Sequence, residues 1–132
     1  MPTMTAADRR AQEREEYNVF IALCPSRQLL DRLSDKWVGL VLEALEPGPQ
    51  RYSAIGRKVA GVSQKMLTQT LRSLERDGLV TREVTPSVPV RVDYQLTQLG
   101  RSLLPVMHAV HFWAEQHMDE VIAARAEFDA QL

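Results

Sequence analysis

The stretch GVSQKMLTQTLRSLERDGLVTR, residues 61–82, decides the fold of this chain. Ser63 is a candidate helix cap, because a serine hydroxyl accepts a hydrogen bond from a free backbone N–H in the first turn. Apolar side chains and one threonine then recur at three- and four-residue spacing, on one stripe: Leu67, Thr70, Leu71 and Leu74. Gly78 ends the helix, and residues 79–85 form a strand. The stretch therefore predicts an amphipathic helix followed by a strand.

The opposite face of this helix carries polar and basic side chains: Lys65, Thr68, Gln69, Arg72 and Arg76. Such side chains reach base edges and phosphates in the major groove of DNA, where arginine is the commonest specific partner of guanine. Gln64 lies at the helix N-terminus, a place suited to a phosphate contact. The alternative interpretation is an ordinary solvated face.

The segments on either side of this helix predict a winged helix-turn-helix. Upstream, Ser53 caps a helix that carries Ile55 and Val59, after an extended link at residues 51–53. A short glycine-containing turn joins this helix to the one from Ser63, as in a helix-turn-helix. Downstream, residues 79–85 and 90–96 form a two-stranded hairpin, the wing. The fold class is mainly α with a small β-hairpin (α+β).

Four further helices are predicted. The first runs from Thr5 to about Leu23, Ser26 caps a short second one, and Asp35 caps a third. The third has the apolar stripe Trp37, Leu40, Val41, Ala44 and Leu45. Thr97 caps a long last helix, which Pro105 should kink or leave with one unpaired carbonyl.

The chain is divided by these helices into three parts. Residues 1–23 form an N-terminal helical arm, residues 24–117 the winged helix-turn-helix with its long C-terminal helix, and residues 118–132 a C-terminal extension. The last helix keeps an apolar stripe through Trp113 to Met118, Val121 and Ile122, more than a small winged helix can bury alone. Because an uncovered apolar patch marks an interface, we expect a homodimer through the terminal helices.

The net charge of −1 conceals an uneven distribution along the chain. Residues 51–82 carry seven Lys/Arg against two Asp/Glu, a balance of +5, whereas the segments on both sides are acidic. The positive charge therefore lies around the candidate reading helix, as phosphate contact requires. No apolar run approaches the roughly 20 residues of a membrane span, and no signal-peptide core is present, so we expect a cytoplasmic protein.

The chain resembles the HxlR-type winged helix-turn-helix transcriptional regulators of bacteria. The matching pieces are Cys24-Pro25, Asp35-Lys36-Trp37, residues 51–55, 61–68, 71–82, 88–94 and 96–100, and Trp113. The family usually has glycine where this chain has Asp35, and the arm before Cys24 is longer than usual. The resemblance implies a homodimer of winged helices, joined through their terminal helices, that binds an inverted-repeat operator. Some members use the cysteine matching Cys24 to sense oxidants or electrophiles.

Three arginines outside the reading helix complete the predicted DNA-binding set. Arg91, with Arg82 on the other strand of the hairpin, is expected at the minor groove or its phosphates. The alternative for both is a cross-strand partner, Glu83 or Asp93. Arg51 precedes the first helix of the motif and is a candidate phosphate contact.

Cys24 has two interpretations. A free cysteine is often a buried, unreactive hydrophobe. Its position before a helix start and near Arg27 would instead lower the thiol pKa and make it a redox sensor. A lone cysteine excludes an internal disulfide and a multi-cysteine metal site.

Other functional classes find little support in the residues. His108 and His111 lie three apart on a helix, but no third ligand follows at a fixed spacing, so no metal is expected. No catalytic triad, phosphate loop or nucleotide fingerprint is present, so we expect neither an enzyme nor a cofactor. A pocket between the last helix and the motif would suit a small-molecule effector. The alternative function is a winged-helix protein-interaction module without specific DNA binding.

Overall fold

The computed structural model describes residues 3–132 apart from the side chain of Ile21, so residues 1 and 2 of the predicted arm lie outside the described residues. The helices are α1 (Ala6–Leu23), α2 (Pro25–Leu33), α3 (Lys36–Ala44), α4 (Tyr52–Lys58), α5 (Gln64–Arg76) and α6 (Gln98–Ala130). The strands are β1 (Gln50–Arg51), β2 (Val80–Thr85) and β3 (Arg91–Leu96). The predicted fold class, mainly α with a small sheet, is confirmed. Over the described range, no helix combines the length and the apolarity that a bilayer crossing needs.

The chain forms two compact units, which meet in sequence between Lys36 and Trp37. In the first, Thr5 caps α1 in a reciprocal arrangement. The N–H of Asp8 donates to Thr5 Oγ1 at 3.0 Å, and the N–H of Thr5 donates to Asp8 Oδ2 at 3.2 Å. The prediction that Ser26 caps α2 is wrong, because Pro25 is already the first helical residue and Cys24 is the cap residue. Proline suits that position, where the missing N–H would have no helical partner.

The core of the second unit lies between α3, α4, α5 and the sheet. The predicted α5 stripe is confirmed, since Leu67, Thr70, Leu71 and Leu74 are all buried. The α3 stripe is rotated by about one residue from the prediction: Val38 and Leu42 are buried with Val41 and Leu45, whereas Leu40 is exposed. The apolar run of α3 allows either stripe, and packing selects the one centred on Val41.

The sheet has three antiparallel strands in the order β1-β3-β2. The predicted hairpin of β2 and β3 is present, and β1 adds a third strand that the sequence analysis did not predict. The extended link predicted at residues 51–53 is instead a short strand, in which Gln50 pairs with Tyr94 and Arg51 with Asp93. Helix α4 then begins at Tyr52 with Arg51 as its cap residue. The prediction that Ser53 caps this helix is therefore wrong, because strand pairing of Arg51 determines where the helix starts.

Helix α6 is joined to the wing by the predicted cap. The N–H of Gly100 donates to Thr97 Oγ1 at 3.0 Å, and Thr97 Oγ1 donates to the carbonyl of Gly78 at 2.7 Å. Gly100 is buried, and a Cβ atom there would collide with the Leu79 carbonyl oxygen. The helix continues through Pro105 without interruption. Because proline has no N–H, the carbonyl of Arg101 loses its usual helical donor.

Candidate nucleic-acid interface

Helix α5 is held by signals at both ends and by its buried stripe. The N–H of Met66 donates to Ser63 Oγ at 3.1 Å, which confirms the predicted cap. Gly61 and Gly78 bound the helix with φ values of +85° and +76°, a conformation that side chains other than glycine rarely adopt. With Leu67, Leu71 and Leu74 in the core, the polar face of α5 points away from the core.

The predicted DNA-binding residues are accessible. All but one are exposed, and Thr68 is half-buried; the exposed ones are Arg51, Gln64, Lys65, Gln69, Arg72, Arg76, Arg82 and Arg91. The exposed side chains on α5 form a basic and polar surface along this helix. A surface of this kind on a single helix is what entry into the major groove requires.

A cleft of about 670 Å³ lies between α5 and the sheet. It brings together four of the predicted site residues, Thr68, Arg72, Arg76 and Arg82. Tyr52, Leu71, Glu75 and Tyr94 complete the lining. Three of the lining residues are arginines, a side chain that binds phosphate groups well. The other five predicted residues, Arg51, Gln64, Lys65, Gln69 and Arg91, do not line this cleft.

Tyr52 is a residue of this site that the sequence analysis missed. Its hydroxyl donates to the Gln64 carbonyl at 2.8 Å and lies 3.0 Å from Thr68 Oγ1. It therefore ties the first turn of α4 to the first turn of α5. No local signal identifies this role, because it depends on how the two helices pack.

The wing places its two arginines apart. Arg82 is opposite Tyr94 and Arg91 is opposite Thr85, so the arginines are not neighbours across the strands. The Nε–H of Arg91 donates to Asp93 Oδ2 at 2.9 Å, along its own strand and not across the hairpin. The side chain of Arg91 is still 52% exposed. An arginine held in this way keeps its outer N–H groups on the surface of the wing.

Cys24 is half-buried at the start of α2. The backbone N–H groups of Arg27 and, to a smaller extent, Ser26 lower the pKa of its thiol below the ordinary value. The sulfur does not complete a cap hydrogen bond with the helix. The predicted lowering of the thiol pKa thus comes from the backbone N–H groups at the start of α2.

The histidines of α6 pair with carboxylates. His108 Nε2 lies 3.0 Å from Glu46 Oε2, and His111 Nε2 lies 3.0 Å from Glu115 Oε1. Together with Glu43 and Phe112 they line a cleft of about 420 Å³. Over residues 3–132, no cluster of three or more His, Cys, Asp or Glu side chains is arranged to hold a metal ion.

Comparison with known proteins gives one consistent result. Residues 32–122 match the family model described as HxlR-like helix-turn-helix. The chain is 42% identical over 117 residues to the HTH-type transcriptional regulator YtfH of Escherichia coli K12, covering 89% of this chain and 93% of that protein. The structure of the transcriptional regulator YtfH from Salmonella typhimurium is similar, with a TM-score of 0.71, 41% identity, and coverage of 81% of this chain and 96% of that one.

A third similar protein is the redox regulator HypR in its reduced form. Its TM-score is 0.72 at 36% identity, with 76% of this chain and 99% of that chain covered. Sequence and fold therefore point to the same class of protein.

Proposed function

We propose that this chain, which belongs to the HxlR-like helix-turn-helix family of transcriptional regulators, binds an inverted-repeat DNA operator as a homodimer. Its family and relatives are regulators and not enzymes. The observation that carries the proposal is the exposed basic face of α5, which continues into the arginine-lined cleft against the wing.

In this proposal α5 enters the major groove. The roles of its polar side chains differ by position. Lys65, Gln69, Arg72 and the half-buried Thr68 read base edges, while Gln64 and Arg76 meet phosphates. Arg51 contacts the backbone from the start of α4, and Arg82 and Arg91 contact the adjacent groove or its phosphates from the wing. The +5 balance of residues 51–82 supports this orientation. A protein-interaction module without DNA binding would have no need for it.

The homodimer is supported by the apolar surface of the terminal helices. Val106, Val110 and Trp113 follow one another at helical spacing on α6, and all three are exposed. Tyr17, Phe20 and Leu23 are exposed on α1. Contiguous exposed apolar residues are typical of interfaces. Two-fold pairing of two winged helices then sets half-site centres about one or two helical turns apart, roughly 10 or 20 bp.

Oxidant sensing by Cys24 is the regulatory part of the proposal. A lowered pKa raises the fraction of thiolate, the reactive form. The similarity to the redox regulator HypR supports the same assignment. With one cysteine per chain, oxidation would proceed through a sulfenate, a small-thiol adduct or a disulfide between two subunits.

A small effector is a second regulatory proposal. The cleft lined by His108, Phe112 and three carboxylates lies between α3 and α6. A ligand bound there would contact α6, the helix that carries the exposed apolar stripe. Since chromosomal DNA is the proposed target, we place the protein in the cytoplasm.

The test is to incubate the purified chain with random or genomic DNA fragments and to sequence those it retains. We expect an inverted repeat to be enriched. Arg72→Ala should abolish most of the enrichment, whereas Arg125→Ala, which removes an exposed positive charge from α6, should preserve it. Equal retention of all fragments by the unchanged chain, or none, would refute the proposal and favour the protein-interaction module.

A further inference from the structure

The hydroxyl of Tyr52 connects two groups of the reading helix. It lies 2.8 Å from the Gln64 carbonyl oxygen and 3.0 Å from Thr68 Oγ1. Thr68 is half-buried on the wall of the cleft that also contains Arg72 and Arg82. The contact to Thr68 therefore lies in the same cleft as Arg72, which is proposed to read bases.

Counting protons assigns a direction to both hydrogen bonds. A carbonyl oxygen only accepts, and a tyrosine hydroxyl has a single proton to donate. The proton of Tyr52 is therefore used by the Gln64 carbonyl, whose two lone pairs also allow the helical N–H to bind. The 3.0 Å contact is then a hydrogen bond in which the Thr68 hydroxyl donates to Tyr52 Oη.

We propose that Tyr52 makes Thr68 an acceptor-only reader of the operator. A threonine hydroxyl that is free to rotate pairs with donors and acceptors alike, so it discriminates poorly between bases. With its proton held by Tyr52, Thr68 presents only oxygen lone pairs and a methyl group. It accepts from the amino groups of adenine N6 or cytosine N4 in the major groove, and it has no proton for guanine O6 or N7.

This inference rests on the proposed function, because it requires α5 to lie in the major groove. It adds a residue outside the reading helix that determines specificity without contacting DNA. Tyr52 is in this sense a positioning residue. Its effect should appear at a single base pair of each half-site, whereas a purely structural role in holding α4 against α5 would weaken binding to all sequences.

The test uses the selected operator and the full chain. The base pair read by Thr68 is the one whose preference Thr68→Val relaxes, because valine has a similar shape but no hydroxyl. At that pair, the amino-bearing base is replaced by an analogue without the amino group, purine for adenine or 2-pyrimidinone for cytosine. A second probe replaces the purine of that pair by its 7-deaza analogue, which lacks the N7 acceptor. Affinity is measured by fluorescence anisotropy.

The unchanged chain should lose about three- to tenfold in affinity when the amino group is removed, the effect of one hydrogen bond, and nothing when N7 is removed. Thr68→Val should be insensitive to both analogues. Tyr52→Phe frees the Thr68 proton and should reduce the discrimination at this pair by a similar factor, with the other pairs unchanged. Tyr94→Phe removes the other tyrosine hydroxyl of the cleft and should keep this discrimination, whatever it does to affinity.

Sensitivity to the loss of N7 but not of the amino group would overturn the inference, and so would a uniform loss of affinity in Tyr52→Phe with base preference intact. The analogue measurements on the unchanged chain and Thr68→Val decide the matter even if Tyr52→Phe does not fold. An unchanged chain that selects no operator would refute the proposed function itself. One that selects an operator but gives these contrary results would refute only the role of Tyr52.

Discussion

The reading part of the molecule, α3 to β3 (residues 36–96), and the terminal helices α1 and α6 differ in how far their apolar side chains are buried. Leu74 of α5 is fully buried and Leu71 is 1% exposed, whereas Phe20 of α1 is 70% exposed and Trp113 of α6 is 54% exposed. The reading part completes its core within one chain. The terminal helices do not, and their exposed apolar side chains are the physical reason to propose a second copy. The buried core of the reading part stabilises the single chain, whereas the exposed apolar side chains of the terminal helices would stabilise a dimer.

The largest expected effect is on the stability of the junction between the wing and α6. Gly100→Ala should lower the free energy of unfolding by about 3 kcal/mol, because the added Cβ meets the backbone carbonyl of Leu79, which cannot move without breaking the junction between wing and α6. Thermal or denaturant unfolding measures this. Gly56→Ala is the matched control: its Cβ would lie 3.5 Å from Leu67 Cδ2, an ordinary contact, so stability should stay the same or rise slightly. Equal stability of both variants would show that the junction is not tightly packed.

The next effect concerns the terminal helices. Trp113→Ser should weaken dimerisation by about 2 kcal/mol or more, roughly 30-fold, because a large aromatic side chain loses its place in the proposed interface. Sedimentation at several protein concentrations measures the dissociation constant. Asp119→Ser, also exposed on α6, should leave it unchanged. A monomeric unchanged chain, or equal effects of the two substitutions, would contradict the contrast between the two regions.

Substitution of Arg72 and of Arg91 should have different kinds of effect on DNA binding. Arg72→Ala should weaken operator binding by about 1–3 kcal/mol if the side chain makes a bidentate base contact, with less effect on unrelated DNA. Arg91→Ala should weaken binding to all sequences more evenly and flatten the dependence on salt, because it removes a proposed phosphate contact. Titrations of operator and unrelated duplex at several salt concentrations separate the two. If neither substitution alters operator binding, the roles of helix and wing are wrongly assigned.

The smallest effect is on the chemistry of Cys24. The N–H groups at the start of α2 lower the pKa of the thiol, so its thiolate fraction at neutral pH exceeds that of an ordinary cysteine. Alkylation should therefore reach its plateau at a lower pH in the folded chain than in the denatured chain, where those groups no longer face the sulfur. Cys24→Ser controls for other reactions. A thiol that reacts only after denaturation would identify a structural cysteine.

Local signals account for what could be predicted from the sequence. Ser63, Thr97, Gly78 and the leucine spacing of α5 act within a few residues of one another, and each appears in the structure as expected. The error at the start of α4 has a distant cause. Strand β1 exists because Arg51 pairs with Asp93, more than forty positions away, and this pairing moves the start of α4.

The candidate site also contains features that the sequence predicts and features that it does not. The exposed face of α5 follows from helical periodicity, whereas the role of Tyr52 depends on packing between two helices. The partner of Arg91 was also missed in its geometry, since Asp93 lies two residues ahead on the same strand. Side chains two residues apart on a strand lie on one face, so strand alternation at residues 91–96 was enough to indicate this pairing.

The mass of the complex between the full chain and its selected operator tests the central claim most directly. A reading part that is complete in one chain, joined to terminal helices that are completed by a second copy, predicts two chains of 15.0 kDa on one inverted-repeat duplex. Native mass spectrometry or sedimentation should find this complex without a stable one-chain species. A single chain bound to a single half-site, with free protein that remains monomeric at micromolar concentration, would contradict the account.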